Sequence, residues 1–149
     1  MWKYKTIRIL PLLNLNEQEL SICYSDAIAL VYPSLYEGFG LPIIEAMACG
    51  CPVITTRESS ILEVAGKAAY FISGRDENEM AEAILKIKDS NLREKLKGIG
   101  LSHITQFQWS KMAEITYNSI CQVGKFRREF YQPNLTQYWS RYRKILKDL

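Results

Sequence analysis

Apolar residues in this chain come in short runs separated by amphipathic stretches, and the two patterns alternate along most of its length. Ile7-Arg8-Ile9-Leu10 reads as a strand. Asn16, with Glu19 three residues on, has the pattern of an N-cap with a capping box and opens a helix through about Ser25. Ile28-Ala29-Leu30-Val31-Tyr32 is unbroken and apolar, as expected of a strand covered on both faces. Pro42 suits the first position of a helix and Gly50 the residue just past its end. Val53-Ile54-Thr55-Thr56 predicts the next strand, 61–65 a short helix stopped by Gly66, and Ala69-Tyr70-Phe71-Ile72 a fourth strand. Asp76 and Glu79 repeat the capping pattern before a helix over 77–88, and further helices are expected over about 91–106 and 109–123.

Strands alternating with helices predict an α/β fold, a doubly wound, Rossmann-like parallel sheet with extra helices at its C-terminal end. Ligands of such sheets bind beyond the carboxyl ends of the strands. Ser34 to Leu41 is such a place, directly after the strand ending at Tyr32. The last segment differs in kind. Pro133-Asn134 starts a helix that puts Leu135, Tyr138, Trp139, Tyr142, Ile145, Leu146 and Leu149 on one face, opposite Gln137, Arg141, Arg143, Lys144 and Lys147. The division expected is therefore a domain over 1–123 and a basic amphipathic tail over 124–149.

At 149 residues, 48% hydrophobic and 23% charged, the chain has the composition of an ordinary globular domain, which argues against disorder. The net charge of +3 is unevenly spread. Residues 124–149 hold seven Lys and Arg against two acids, a net of +5, which leaves −2 for the rest. No apolar run approaches the roughly 20 residues of a membrane span, and no export signal is visible. The four cysteines lack a disulfide-framework spacing and read as reduced thiols, so a cytoplasmic location is expected. The single histidine, His103, lies far from any cysteine pair, and no metal site is expected.

The chemistry concentrates in Pro33-Ser34-Leu35-Tyr36-Glu37-Gly38-Phe39-Gly40-Leu41-Pro42-Ile43-Ile44-Glu45-Ala46-Met47-Ala48-Cys49-Gly50. Two carboxylates, Glu37 and Glu45, stand seven residues apart around a Gly-aromatic-Gly turn that runs into a helix. A carboxylate accepting from sugar hydroxyls makes charge-assisted hydrogen bonds. Gly38 and Gly40 let a ligand approach the main chain. N–H groups at a helix N-terminus suit an anion. A strand-turn-helix with two solvated glutamates is the plain alternative for a bare Glu-Gly-x-Gly.

The longer string closely resembles the donor-binding domain of family 4 glycosyltransferases, retaining enzymes of the GT-B fold. Their signature is a glutamate, seven residues and a second glutamate, within a proline-serine, Glu-Gly-Phe-Gly and Pro-x-x-Glu-Ala-Met-Ala-x-Gly sequence. Thr55-Thr56 and Glu63-Val64-Ala65-Gly66 extend the likeness, which continues loosely from Ile7 to Val123 and includes Phe107-Gln108-Trp109. The resemblance implies that Glu37 touches the transferred sugar and supports the reacting face. It implies that Gly38, Phe39, Gly40 and Leu41 offer N–H groups to the donor, and that Glu45 accepts from the ribose. The implied reaction moves a hexose from a nucleoside-diphosphate sugar with retention, without a cofactor or a divalent metal.

The same resemblance implies a domain incomplete at its N-terminal end. In the strand order 3-2-1-4-5-6, strand 7–10 would be third and strand 28–32 fourth, with their two intervening strands absent. Strand 28–32 would then keep an unpaired edge. The family's diphosphate-clamping Arg and Lys are not matched, since Arg57 and Lys67 are misplaced for the role. We expect a C-terminal portion of a split or truncated enzyme, working with a separate acceptor-domain chain, or else a non-catalytic sugar-nucleotide-binding or scaffolding relic.

Among other residues, Ser59-Ser60 reads as a helix N-cap or a donor contact, His103 as a surface or packing residue, and Tyr36 and Phe39 as pocket-lining or buried. The terminal helix has three readings: packing on the protein, crossing back to an acceptor domain, or lying on an anionic membrane surface at the inner face. No nucleic-acid-binding pattern is present.

Overall fold

A computed structural model describes residues 9–12 and 14–129, with 125–129 described by backbone alone. Its order is α1 (Glu17–Asp26), β1 (Leu30–Tyr32), α2 (Leu41–Ala48), β2 (Val53–Thr55), α3 (Ile61–Ala65), β3 (Ala69–Phe71), α4 (Glu77–Lys86), α5 (Ser90–His103), a 3-10 turn over Ile104–Gln106, and α6 (Trp109–Glu129). The three strands form a parallel sheet ordered β1-β2-β3, with Leu30 opposite Val53 and Val53 opposite Ala69. This is the α/β alternation expected from the hydrophobic pattern.

Capping fixes the helices locally. The Asn16 side chain accepts from the Glu19 N–H, and the Glu19 carboxylate accepts from the Asn16 N–H, closing the capping box. Asp76 caps α4 through the N–H groups of Asn78 and Glu79, and Asp89 caps α5 through that of Leu92. Helix α2 starts at Leu41, so Pro42 takes its second position, and Gly50 follows the C-cap at φ +71°.

Alternation along the strands divides the core. Leu30, Tyr32, Val53, Ala69 and Phe71 face a cluster with Ile43, Ala46 and Met47 of α2, and with Ile61, Val64 and Ala65 of α3. Val31, Ile54, Tyr70 and Ile72 face the opposite layer, which holds Met80, Ala83 and Ile87 with Leu92 and Leu96 of α5. All of β2 is buried, whereas β1 is only half-buried. Strand 28–32 meets a layer on each face, as expected, but it lies at the edge with one strand neighbour among the described residues, which leaves it half-buried.

The strand expected at 7–10 is not present where it can be seen. Ile9 and Leu10 are irregular and exposed, and Ile7 and Arg8 lie outside the described residues. The helix from Asn134, with its apolar face, also lies outside them. One compact unit ends at Gln106 and the next begins at Phe107. Helix α6 belongs to the second unit and runs without a break through residues 123 and 124. Among the described residues no helix is long and apolar enough to cross a membrane.

Candidate functional site

The loop from Pro33 to Gly40 leaves the carboxyl end of β1 and enters α2. Gly40 makes the entry: at φ +101° it takes a left-handed conformation that glycine adopts without a steric penalty. A Cβ on Gly38 would meet nothing within 4 Å and its φ is not positive, so only Gly40 of the pair is demanded by the backbone.

Hydroxyl groups hold this loop from below. At the end of β2, Thr55 donates to the carbonyl of Tyr32 at 2.7 Å and Thr56 to that of Ser34 at 2.5 Å. Both threonines are fully buried. Ser59 and Ser60 both donate to the carbonyl of Glu37 at 2.9 Å, and Ser60 also lies 3.2 Å from that of Phe39. Ser60 therefore occupies the N-cap position of α3 without a side-chain cap, its hydroxyl being spent on the loop. Ser59 takes φ +53°, an uncommon conformation for a non-glycine residue. Carbonyls of the loop thus turn inward. Among the described residues the N–H groups of Gly38, Gly40 and Leu41 make no backbone or side-chain hydrogen bond. Gly38, Phe39 and Leu41 are exposed, and Tyr36 is 84% exposed, so neither Tyr36 nor Phe39 is a core residue.

The two acids sit differently. Glu37 is half-buried, and its Oε1 accepts from the Tyr32 hydroxyl at 2.5 Å and from Ser34 Oγ at 2.8 Å. The Tyr32 and Ser34 bonds hold its carboxyl below the ordinary glutamate range, while the bond to Glu37 pushes Tyr32 up to about 12. A carboxylate in this setting is an ionised acceptor near neutral pH and a poor proton donor. Glu45, on the exposed side of α2, has its Oε2 3.5 Å from the Tyr24 hydroxyl of α1. Burial, then Glu45, raises the Tyr24 pKa, and Tyr24 adds to the shift of Tyr32. The two acids thus each have a tyrosine neighbour, Tyr32 for Glu37 and Tyr24 for Glu45.

The serines and threonines under the loop were named in the sequence, but their shared role was not. Nor were Tyr24 and Tyr32 marked as partners of the two glutamates. Arg57 stacks over the Phe71 ring at 4.3 Å. His103 packs, with Nε2 2.8 Å from the Val64 carbonyl. Among the described residues no three His, Cys, Asp or Glu side chains gather to hold a metal ion.

This loop, its two glutamates and the parallel sheet beneath coincide with a known family. The model of glycosyl transferases group 1 matches residues 6–101. The chain belongs to that family. It is 38% identical to the O-antigen chain mannosyltransferase B of Escherichia coli over 104 residues, 69% of this chain and 27% of that protein. It is 47% identical to the O-antigen chain mannosyltransferase RfbU of Salmonella typhimurium over 70 residues, 47% of this chain and 20% of the relative. With the D-inositol 3-phosphate glycosyltransferase of Corynebacterium jeikeium it shares 36% identity over 100 residues, 65% of this chain and 24% of that one. The matched segment spans about a quarter of these relatives.

Proposed function

We propose that this chain is the donor-binding part of a retaining glycosyltransferase that transfers a hexose from a nucleoside-diphosphate sugar. In this reading Glu37 accepts from hydroxyls of the transferred sugar. Glu45 accepts from the ribose, and Gly38, Phe39, Gly40 and Leu41 present main-chain N–H groups to the sugar and its phosphate. The observation that carries it is the anchored loop: its carbonyls are held by hydroxyls from below, which leaves the N–H groups of the exposed Gly38 and Leu41 and an ionised carboxylate for a ligand. Such fixed dipoles stabilise charge as it develops on a departing diphosphate. No metal is assigned to the step. The acceptor site is assigned to a further domain or chain, and the basic residues of 134–149 to an anionic membrane surface on the cytoplasmic side.

Calorimetry with GDP-mannose and UDP-glucose tests the reading. We expect binding of one of them, weakened roughly tenfold to a hundredfold by Glu45→Ala, the worth of a charge-assisted hydrogen bond. Absence of heat with every nucleotide sugar and free nucleotide refutes it. The chain alone is expected to bind without transferring. Turnover onto an acceptor by the purified chain would reverse the assignment of the acceptor site.

A further inference from the structure

We infer that Tyr32 and Ser34 are positioning residues for the transferred sugar: both occupy Oε1 of Glu37, and so present its Oε2 to a sugar hydroxyl. The inference rests on the donor-binding reading proposed above and adds what makes Glu37 selective within it.

The hydrogen bonds run outward from the core to the acid. Thr55 and Thr56 are wholly buried at the end of the central strand β2. Their hydroxyls fix the carbonyls of Tyr32 and Ser34, which sets the backbone that carries these two side chains. The Tyr32 ring packs against the cluster around α2, so its hydroxyl has little freedom. That hydroxyl and Ser34 Oγ then converge on a single oxygen of Glu37. The backbone of Glu37 is fixed independently, by Ser59 and Ser60 on its carbonyl.

An ionised carboxylate offers about four lone-pair sites on two oxygens. Two donors on Oε1 use the capacity of that oxygen, and no donor among the described residues reaches Oε2. A flexible glutamate loses rotamer freedom when a ligand orders it. Here the ordering is completed when the chain folds. The same bonds keep Glu37 an acceptor, suited to hydroxyl groups and unsuited to phosphate. They do not involve Glu45, whose neighbour is Tyr24. The predicted effect is therefore on the sugar and not on the nucleotide.

The test compares Tyr32→Phe, which deletes one hydroxyl and keeps the packed ring, with Ser34→Ala and with Glu37→Gln. Each protein is titrated with UDP-glucose and UDP, or with GDP-mannose and GDP, according to the pair that the native chain binds. The expected result is a roughly three- to tenfold loss for the nucleotide sugar in Tyr32→Phe and in Ser34→Ala, with the free diphosphate unchanged within about twofold. The Glu37 side-chain carboxyl, followed by carbon-13 NMR against pH, should titrate higher in Tyr32→Phe than in the native chain. Equal losses for sugar nucleotide and free nucleotide mean a structural role and overturn the inference. So does an unmoved Glu37 titration or an unmoved sugar affinity. A native chain that binds neither nucleotide nor nucleotide sugar refutes the donor reading itself, and with it the purpose assigned to Tyr32.

Discussion

Gly74 connects the last strand to the candidate site, and Gly74→Ala tests how rigidly the loop is supported. Gly74 sits at φ +72°, and a Cβ added there would stand 2.5 Å from Thr56 Cγ2 and 3.2 Å from Leu35 Cδ2. Thr56 cannot turn aside freely: it is wholly buried, β-branched, and bonded through its hydroxyl to the Ser34 carbonyl. The left-handed conformation costs an alanine about 1–2 kcal/mol. Overpacking adds about 1–3 kcal/mol. The whole loss, about 2–5 kcal/mol, is a large part of the 5–15 kcal/mol typical of a domain. Urea denaturation followed by circular dichroism measures it. Thr56→Ser keeps the hydroxyl, removes the methyl that Gly74→Ala would strike, and by itself costs about 1 kcal/mol. The double variant should therefore be more stable than the summed single losses by about 1–3 kcal/mol, the overpacking term. Additive losses, or a Gly74→Ala change within about 0.5 kcal/mol, would refute the claim that Thr56 is fixed from this side.

Other outcomes are expected from the same contacts. Spectrophotometric titration at alkaline pH should find one of the nine tyrosines ionising at about 12, and Tyr32→Phe should remove that step. Because the fold holds this phenol protonated, its contribution to stability is complete below the ordinary tyrosine value near 10 and is lost as pH rises through about 12. Glu37 has the opposite sign: its contribution is present above the ordinary glutamate range and lost as pH falls below it. Asn16→Ala should cost about 1 kcal/mol and expose the first turn of α1 to hydrogen exchange, since that helix buries no residue of its own. Met47→Ala, at a 1% exposed position on the buried side of α2, should cost about 2–5 kcal/mol in thermal or urea unfolding.

What was legible in the sequence follows from the range of the forces involved. The caps at Asn16 and Asp76 are settled by residues two or three positions away, so their helix starts could be read directly. Gly50 and Gly66 at helix ends were equally readable, because a φ of +71° or +55° is a local demand. The half-burial of β1 was not, since burial depends on which strands lie alongside. An apolar run such as Ile28–Tyr32 looks the same at an edge and in a centre. The family signature marked Glu37 and Glu45 through residue types alone. The bonds that anchor the loop carrying Glu37 were hidden, as the contacts of Ser59 and Ser60 with it span 21–23 residues of sequence.

That separation has a consequence for how the site works. A surface loop is ordinarily mobile, and a ligand must supply the free energy to order it. Here the ordering is done by six hydroxyls: those of Thr55, Thr56, Ser59 and Ser60 on backbone carbonyls and those of Tyr32 and Ser34 on the glutamate. None of the six lies within the two-glutamate spacing by which the family is recognised. A chain could keep Glu37, Gly38, Phe39, Gly40 and Glu45 intact and still lose the proposed grip on a sugar if these hydroxyls were replaced. The motif supplies the groups that would meet a donor, and the serines, threonines and tyrosine determine whether those groups are already in place when it arrives.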